Sequence, residues 1–262
     1  MLRFSILASS SSGNVAFVAT PRTRLLIDAG LSAKEVFARL EAIGQRPADI
    51  DAILVTHEHS DHILGLPPLA RKLQALKGGT PVPIYLSKLT APMIDWGKFQ
   101  PHVVEFQAGT RFVLGDIDVT SFTIPHDAVD PVGFTFAGEG AKVGIVTDLG
   151  YVPDSIKFHL ADVDLLMLES NHDLDMLKVG PYPWSVKQRV MGRKGHLSNE
   201  HCSQFILDDL GPQVRHLVLG HLSEHNNHPE ICRIVAAQAL DRRAVQTELA
   251  VVDPGGRFEK LL

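Results

Sequence analysis

Seven residues constrain this chain more than any others: Thr56-His57-Glu58-His59-Ser60-Asp61-His62. The run before them, Ala52-Ile53-Leu54-Val55-Thr56, is apolar and rich in β-branched residues, and predicts a buried strand. The run after them, Ile63-Leu64-Gly65-Leu66 with Pro67-Pro68, predicts a helix with the prolines near its first turn. The motif therefore lies on a strand-to-helix loop, where a scaffold can aim several side chains at one point. His57 and His59 are two apart and point the same way from an extended backbone. Asp61 and His62, on the turn beyond, reach a second point nearby. Imidazole suits zinc, iron and manganese, and an added carboxylate suits the harder of these. Histidines that merely cap a polar loop do not need this density behind an apolar strand.

His57-x-His59-x-Asp61-His62 resembles the signature of the metallo-β-lactamase superfamily, whose members are mostly two-metal hydrolases. The resemblance implies an α/β fold, a four-layer αββα sandwich of two mixed sheets with helices outside. The chain itself shows only alternating strand and helix patterns. No linker or low-complexity segment cuts it, so residues 1–262 are expected to form one domain.

Residues 4–8 and 15–19 predict a hairpin around Ser9-Ser10-Ser11-Ser12-Gly13-Asn14. That loop reads first as a turn with positive φ at Gly13 and Asn14; the sharper alternative, compatible with it, is that its hydroxyls and amides face a substrate phosphate. Arg24 to Ile27 is a strand ending in Asp28-Ala29-Gly30. The resemblance places Asp28 beneath the ligands as their orienting partner. Ser32 to Glu35 is a capping box for a helix with stripe Val36, Phe37, Leu40 and Ile43, stopped by Gly44. Residues 69–77 predict a basic helix, 81–86 a strand and 88–99 a helix. Strands are predicted again at 103–106, 112–114 and 119–124.

The last of these ends in Pro125-His126-Asp127-Ala128, which places His126 as a third ligand of the first metal. Phe134 to Phe136 and Val143 to Val146 form a hairpin around Gly138-Glu139-Gly140, and the second strand delivers Thr147-Asp148-Leu149-Gly150. A carboxylate can bridge two cations where a neutral imidazole cannot, so Asp148 is the candidate bridge. A strand at 164–168 ends in Glu169-Ser170-Asn171-His172-Asp173. A helix at 183–193 carries Lys187, Arg189, Arg193 and Lys194, a basic cluster that Lys178 extends. Gly195-His196-Leu197-Ser198-Asn199 opens a helix to about 210. A strand at 216–219 runs into Gly220-His221, a helix spans 229–240 and a strand 247–252 closes the chain.

Two sites can then be filled, matching the superfamily's ligand motifs one by one. His57, His59 and His126 make the first, Asp61, His62 and His221 the second, and Asp148 joins them. The cofactors implied are two divalent ions, zinc or manganese. Such a pair lowers the pKa of a bridging water and clamps the oxygens of an in-line displacement, which suits phosphodiester hydrolysis. Asp61 and His196 are the catalytic candidates. The His196-Leu197-Ser198 context resembles that of ribonuclease Z, whose corresponding His supplies the acid; the plain alternative is a cap for the helix from 199. His172 is not assigned as a ligand, and its role stays open between orienting a ligand, touching phosphate and holding its loop.

Motifs from about residue 4 to 232, including Ser11-Ser12-Gly13-Asn14, Ile27-Asp28-Ala29-Gly30 and His221-Leu222-Ser223, resemble the YycJ (WalJ)-like group of bacterial proteins. That implies a metal-dependent exonuclease acting on DNA from the 5′ end, with a link to DNA repair. The group usually has Glu where this chain has His225, a change expected to tune the rim of the site.

Composition decides the rest. Hydrophobic residues at 45% and charged ones at 21% suit a soluble globular protein. No apolar run approaches the ~20 residues of a membrane span. The first residues run straight into a strand pattern with no signal-peptide segment, so a cytoplasmic location is expected. Cys202 and Cys232 are predicted to be buried thiols in helices. The net charge of −5 does not exclude a nucleic acid partner, because a nuclease needs only a local basic patch. DNA is preferred to RNA. The competing readings are a hydrolase of a small phosphodiester, thioester or lactam, a di-iron redox enzyme, and a binding protein without catalysis.

Overall fold

A computed structural model describes residues 1–243 and 246–262. The chain builds two seven-stranded sheets. The first holds β1 (Arg3–Ala8), β2 (Val15–Ala19), β3 (Arg24–Ile27), β4 (Ala52–Leu54), β5 (Ile84–Ser87) and β6 (Val103–Phe106). The second holds β7 (Arg111–Leu114), β8 (Ile117–Thr123), β9 (Val132–Gly138), β10 (Ala141–Val146), β11 (Leu165–Glu169), β12 (His216–Gly220) and β13 (Glu248–Val251). A last strand, β14 (Phe258–Leu261), returns to pair with β1. In both sheets the pairing is antiparallel on one side and parallel on the other, and it switches at β3 and at β10.

The central strands β2, β3, β4 and β11 are largely apolar on both faces because both are covered. Along β2, Ala16 and Val18 point between the sheets while Val15, Phe17 and Ala19 point outward. Leu165 and Met167 of β11 face inward, and Leu166 and Leu168 face the opposite layer. The inner layer joins Phe4, Ile6 and Leu54 to Phe134, Phe136 and Val143. Helices α1 (Ala33–Ala42), α2 (Ser60–Ile63) and α3 (Leu66–Leu76) follow strands of the first sheet, and α1 and α3 bury Val36, Leu40, Leu69 and Leu73 against its outer face. Helices α4 (Asp154–Leu160), α5 (Leu174–Val179), α6 (Trp184–Val190), α7 (Asn199–Asp208) and α8 (Pro229–Asp241) belong to the second half. Of these, α4, α7 and α8 cover the outer face of the second sheet. The result is the four-layer αββα sandwich that the resemblance implied.

Local rules hold at several elements. Ser32 caps α1, accepting from Glu35 N at 3.3 Å, and Gly44 beyond its end has φ +71°. Glu139 and Gly140, both at positive φ, make the two-residue turn of the β9–β10 hairpin. Cys202 and Cys232 are buried and unbonded in α7 and α8.

Other elements depart from expectation. Residues 88–99 hold only a 3-10 turn, Ala91–Met93, because Ile94 leaves it in extended backbone at φ −88° and ψ 120°. The helix expected at 183–193 ends at Val190, before Gly192. Gly13 and Asn14 do not take positive φ. Gly13 packs closely instead: a Cβ there would meet Leu31 Cδ2 at 2.6 Å and the Gly30 carbonyl carbon at 3.3 Å.

Phe134→Ala is expected to cost about 3–5 kcal/mol, because it opens the layer between the sheets. Val113→Ala, at an exposed position, should stay within about 0.5 kcal/mol. Urea unfolding of both variants checks the difference; equal midpoints would contradict the layer assignment.

Candidate metal centre

The chemistry-bearing residues collect at one edge of both sheets, on the loops that leave β3, β4, β8, β10, β11 and β12. Three of them, Asp28, Asp148 and His221, sit at φ of 62°, 62° and 57°. Left-handed backbone is costly for such residues and tends to persist where surrounding contacts enforce it, often at functional sites. Here it turns the chain sharply as it leaves β3, β10 and β12 and aims each side chain into the space between the sheets.

His57, His59 and His126 form one cluster. Their ring centroids are 4.6, 5.0 and 4.9 Å apart, with interplanar angles of 76°, 81° and 72°. Three rings thus stand edge to edge around a common point. His57 Nδ1 lies 3.0 Å from Thr56 Oγ1, and its buried Nε2 has no hydrogen-bond partner. His126 Nδ1 lies 3.2 Å from the carbonyl of Gly195, which turns Nε2 to within 3.2 Å of His59 Nδ1.

Asp61, His62, Asp148 and His221 form the second cluster. His62 Nε2 is 3.4 Å from Asp61 Oδ2 and 3.3 Å from Asp148 Oδ2. His221 Nε2 is 3.6 Å from Asp61 Oδ2 and 3.4 Å from Asp148 Oδ1. These separations are long for hydrogen bonds. They fit the edge of a tetrahedron whose legs are about 2.1 Å, roughly 3.4 Å, as expected of donors around one small cation. Asp148 faces both clusters, since its Oδ1 is also 3.9 Å from His126 Nε2. All seven residues proposed from the sequence are therefore brought together.

Two buried carboxylates lie behind these imidazoles. Asp28 Oδ2 is 2.8 Å from His62 Nδ1, while its Oδ1 accepts from Thr56 N at 2.8 Å. Glu169, the last residue of β11, takes four bonds. Its Oε1 is 2.8 Å from both His196 Nδ1 and His221 Nδ1, and its Oε2 accepts from Leu149 N and Leu197 N at 3.0 Å. Glu169 opens the motif Glu169-Ser170-Asn171-His172-Asp173, where its sequence context alone assigns it no role. The available signal was its position: an acid ending a five-residue apolar strand, as Asp28 and Asp148 also follow strands. Asn14 was missed as well. Its Nδ2 lies 3.1 Å from Asp61 Oδ2 and 3.2 Å from His62 Nε2.

The electrostatics follow. Burial opposes charge on His62 and His221, but Asp148 beside them raises both, His221 to about 10. Burial also opposes charge on Glu169, yet His196 and His221 hold it at about 2. His57 goes the other way, pushed well down by burial and by His62. His196 is raised because Glu169 and Asp148 outweigh its burial.

His196 is not the cap of α7. Ser198 is, accepting from His201 N at 3.2 Å. His196 instead lines a cleft of about 250 Å³ with His59, Asp61, Asp148, Tyr182 and Arg189. His172 is buried outside both clusters, with neither ring nitrogen bonded. The loop from Ser9 to Asn14 joins the site: Ser9 Oγ accepts from His221 N at 2.8 Å, and Ser11 lines the cleft. Glu224 accepts from Ser12 Oγ at 2.7 Å on the rim, and His225 packs edge-on to Tyr182. The expected basic cluster divides. Arg189 lines the cleft, but Lys187 is buried with its Nζ donating to Lys178 O at 2.7 Å, and Arg193 lies 4.1 Å over the Tyr151 ring.

A family profile described as a beta-lactamase superfamily domain matches residues 23–222. Exodeoxyribonuclease YycJ of Bacillus anthracis is 37% identical over 250 residues, covering 92% of this chain and 90% of that one. Exodeoxyribonuclease WalJ of Streptococcus pneumoniae is 38% identical over 245 residues, covering 91% and 88%. The crystal structure of the metallo-beta-lactamase fold protein YhfI from Bacillus subtilis superposes with a TM-score of 0.75 at 19% identity, over 99% of each chain.

Two outcomes are expected. Glu169→Gln should lower zinc affinity about 10- to 100-fold while the circular dichroism spectrum is unchanged; competition against a chromogenic chelator measures it. At pH 7 the raised His62 and His221 carry protons that a cation must displace. Zinc binding should therefore release about two protons, and affinity should fall as the pH is lowered. Calorimetry in two buffers of different ionisation heat reads the number.

Proposed function

Because this chain belongs to the metallo-β-lactamase superfamily, we propose that it is a two-metal phosphodiesterase that removes nucleotides from the 5′ end of DNA. The observation that supports this most is the pair of donor clusters on either side of Asp148, at separations that suit two small cations. His57, His59 and His126 would hold one, Asp61, His62 and His221 the other, and Asp148 both. Zinc and manganese suit this donor set. When bound, the ions supply a water of lowered pKa as nucleophile and charge to bind the phosphate oxygens.

The chain's own residues do the rest. Asp28 and Glu169 fix the tautomers of His62 and His221, so that each Nε2 presents a lone pair to the site. Asn14 holds Asp61 from the side. His196 gives its Nδ1 proton to the bond with Glu169 and keeps Nε2 free for the cleft. Glu169 and Asp148 raise the His196 pKa against its burial, which favours the protonated ring that would donate to the leaving sugar oxygen. Asn171 and Ser223 line the same cleft and offer donors to a phosphate. DNA as substrate is taken from the relatives named for that activity, which align with about nine-tenths of the chain. A cytoplasmic setting belongs to the same proposal, since the two buried thiols stay unbonded.

End-labelled single- and double-stranded DNA and RNA, digested with the manganese- and zinc-loaded protein, test the reading. Loss of nucleotides from the 5′ end of DNA is expected. His196→Ala should lower kcat about 10²- to 10⁴-fold, and Asp61→Ala should abolish turnover. Activity that survives Asp61→Ala would belong to a contaminant. Inactivity on every strand, with two metals bound, would redirect the search to small phosphodiesters and thioesters.

A further inference from the structure

Helix α6 meets the metal cleft with one face. Val186, Arg189 and Val190 line the cleft, at the i, i+3 and i+4 spacing of neighbours on a helix surface. Among the described residues that line it, Arg189 is the only lysine or arginine. Its guanidinium stays charged at any working pH. Two loops fix where it stands. The chain before His196 packs on the end of α6: a Cβ on Gly195 would lie 2.2 Å from Arg189 O, and His196 N donates to Val190 O at 2.9 Å. The side chain is held from another direction. Arg189 Nε lies 3.2 Å from Asp127 Oδ2, and Asp127 Oδ1 lies 3.4 Å from His126 Nε2. His126 Nδ1 lies 3.2 Å from the Gly195 carbonyl, so these ties close into a ring.

The pair with Asp127 does not use Arg189 up. An ion pair this exposed adds little to stability, and 63% of the arginine side chain is in water. A guanidinium has five N–H donors, and one carboxylate takes at most two of them. The rest are left for an anion in the cleft that the side chain lines. On the two-metal reading, the phosphate being cut belongs to the donor clusters and to His196. Asp127 stands between the guanidinium and the His126 imidazole of the first cluster. Arg189 is therefore close enough to serve the same strand and set back from the reacting phosphate. In a chain of net charge −5, with Asp61 and Asp148 in the same cleft, one fixed cation is what would hold a polyanion in place.

We propose that Arg189, oriented by Asp127, anchors the phosphate next to the one being cut, so that the site selects a strand with two or more phosphates over an isolated phosphodiester. The inference rests on the phosphodiesterase reading of the site and names the substrate feature that reading leaves open. Arg189 binds the strand and takes no part in proton transfer. Asp127 acts through Arg189 and is a positioning residue.

The test uses the manganese-loaded full chain and three substrates. The p-nitrophenyl ester of thymidine 5′-phosphate has one phosphodiester and no neighbouring phosphate. A thymidine dinucleotide phosphorylated at its 5′ end adds a phosphate on one side of the bond, and one phosphorylated at its 3′ end adds it on the other. Arg189→Ala should raise KM for at least one dinucleotide about 10- to 150-fold, the factor for one charge-assisted hydrogen bond. The same variant should lose far less on the ester. The dinucleotide affected tells on which side Arg189 binds. Binding is read separately, from the anisotropy of a labelled single-stranded phosphorothioate oligonucleotide as salt is raised. Arg189→Ala should reduce the slope of log K against log salt by about 0.7, the value for one phosphate of a single strand. Arg189→Lys should restore the slope and only part of the affinity, because lysine keeps the charge and loses the fork. A residue that merely braced α6 would leave the slope unchanged. Equal losses on all three substrates, or an unchanged slope, overturn the anchor, and so does a wild type that does not bind the oligonucleotide. A wild type that binds it and cleaves none of the three sinks the phosphodiesterase reading, and the salt slope still decides the anchor.

Discussion

The site depends on burying two acids without leaving either unpaired. An ionised carboxylate taken out of water is costly by several kcal/mol unless its oxygens are matched by donors. Glu169 meets that condition with two backbone amides and two imidazoles, and Asp28 with Thr56 and His62. The backbone amides come from the chain just beyond Asp148 and beside His196. One carboxylate thus fixes three loops at once. If Glu169 moved, His196 and His221 would lose a common anchor, and Leu149 N and Leu197 N would be orphaned in a dry interior.

The loops reach these acids because the backbone is forced close. A Cβ on Gly30 would lie 1.7 Å from Asp61 O, and one on Gly65 the same distance from Leu31 O. The chain after β3 therefore runs directly against the loop that carries the metal-facing residues. Asn14 N donates to Asp61 O at 2.8 Å in the same crossing, and Gly30 N donates to Asn14 O at 3.0 Å. Asp61, the most exposed member of its cluster, is held by backbone on one side and by Asn14 Nδ2 on the other. Left-handed φ at Asp28, Asp148 and His221 is the local cost of this crowding, offset by the bonds their side chains make.

Much of this was legible in the sequence, for physical reasons. Strands covered on both faces must be apolar at every position, so β2, β3, β11 and β12 stand out. Ligands placed at strand ends fall next to those runs, which is why His57, His126, Asp148 and His221 could be named. Glu169 was hidden because its partners arrive from distant loops, and a lone acid after an apolar run has no spacing of its own. Asn14 was hidden behind a simpler reading of its loop as a turn. Short elements escaped for another reason. The helices α4 and α5 have seven and six residues, too few for a stripe, and depend on packing for their existence. The strand β14, Phe-Glu-Lys-Leu, lies at a sheet edge with two exposed residues. Lys187 reads as a surface charge until α5 is known to lie beside it.

Charge separates what the fold builds from what the site must do. Asp28, Asp61, Asp148 and Glu169 place four carboxylates around the clusters, and Asp148 raises the pKa of both His62 and His221 against the opposing effect of burial. A phosphodiester approaching this edge of the sandwich would meet a net acidic centre beside Arg189. Cations held there would reverse the sign at the centre. On the two-metal reading, the acids that anchor the imidazoles are the same charges that would make substrate binding conditional on metal.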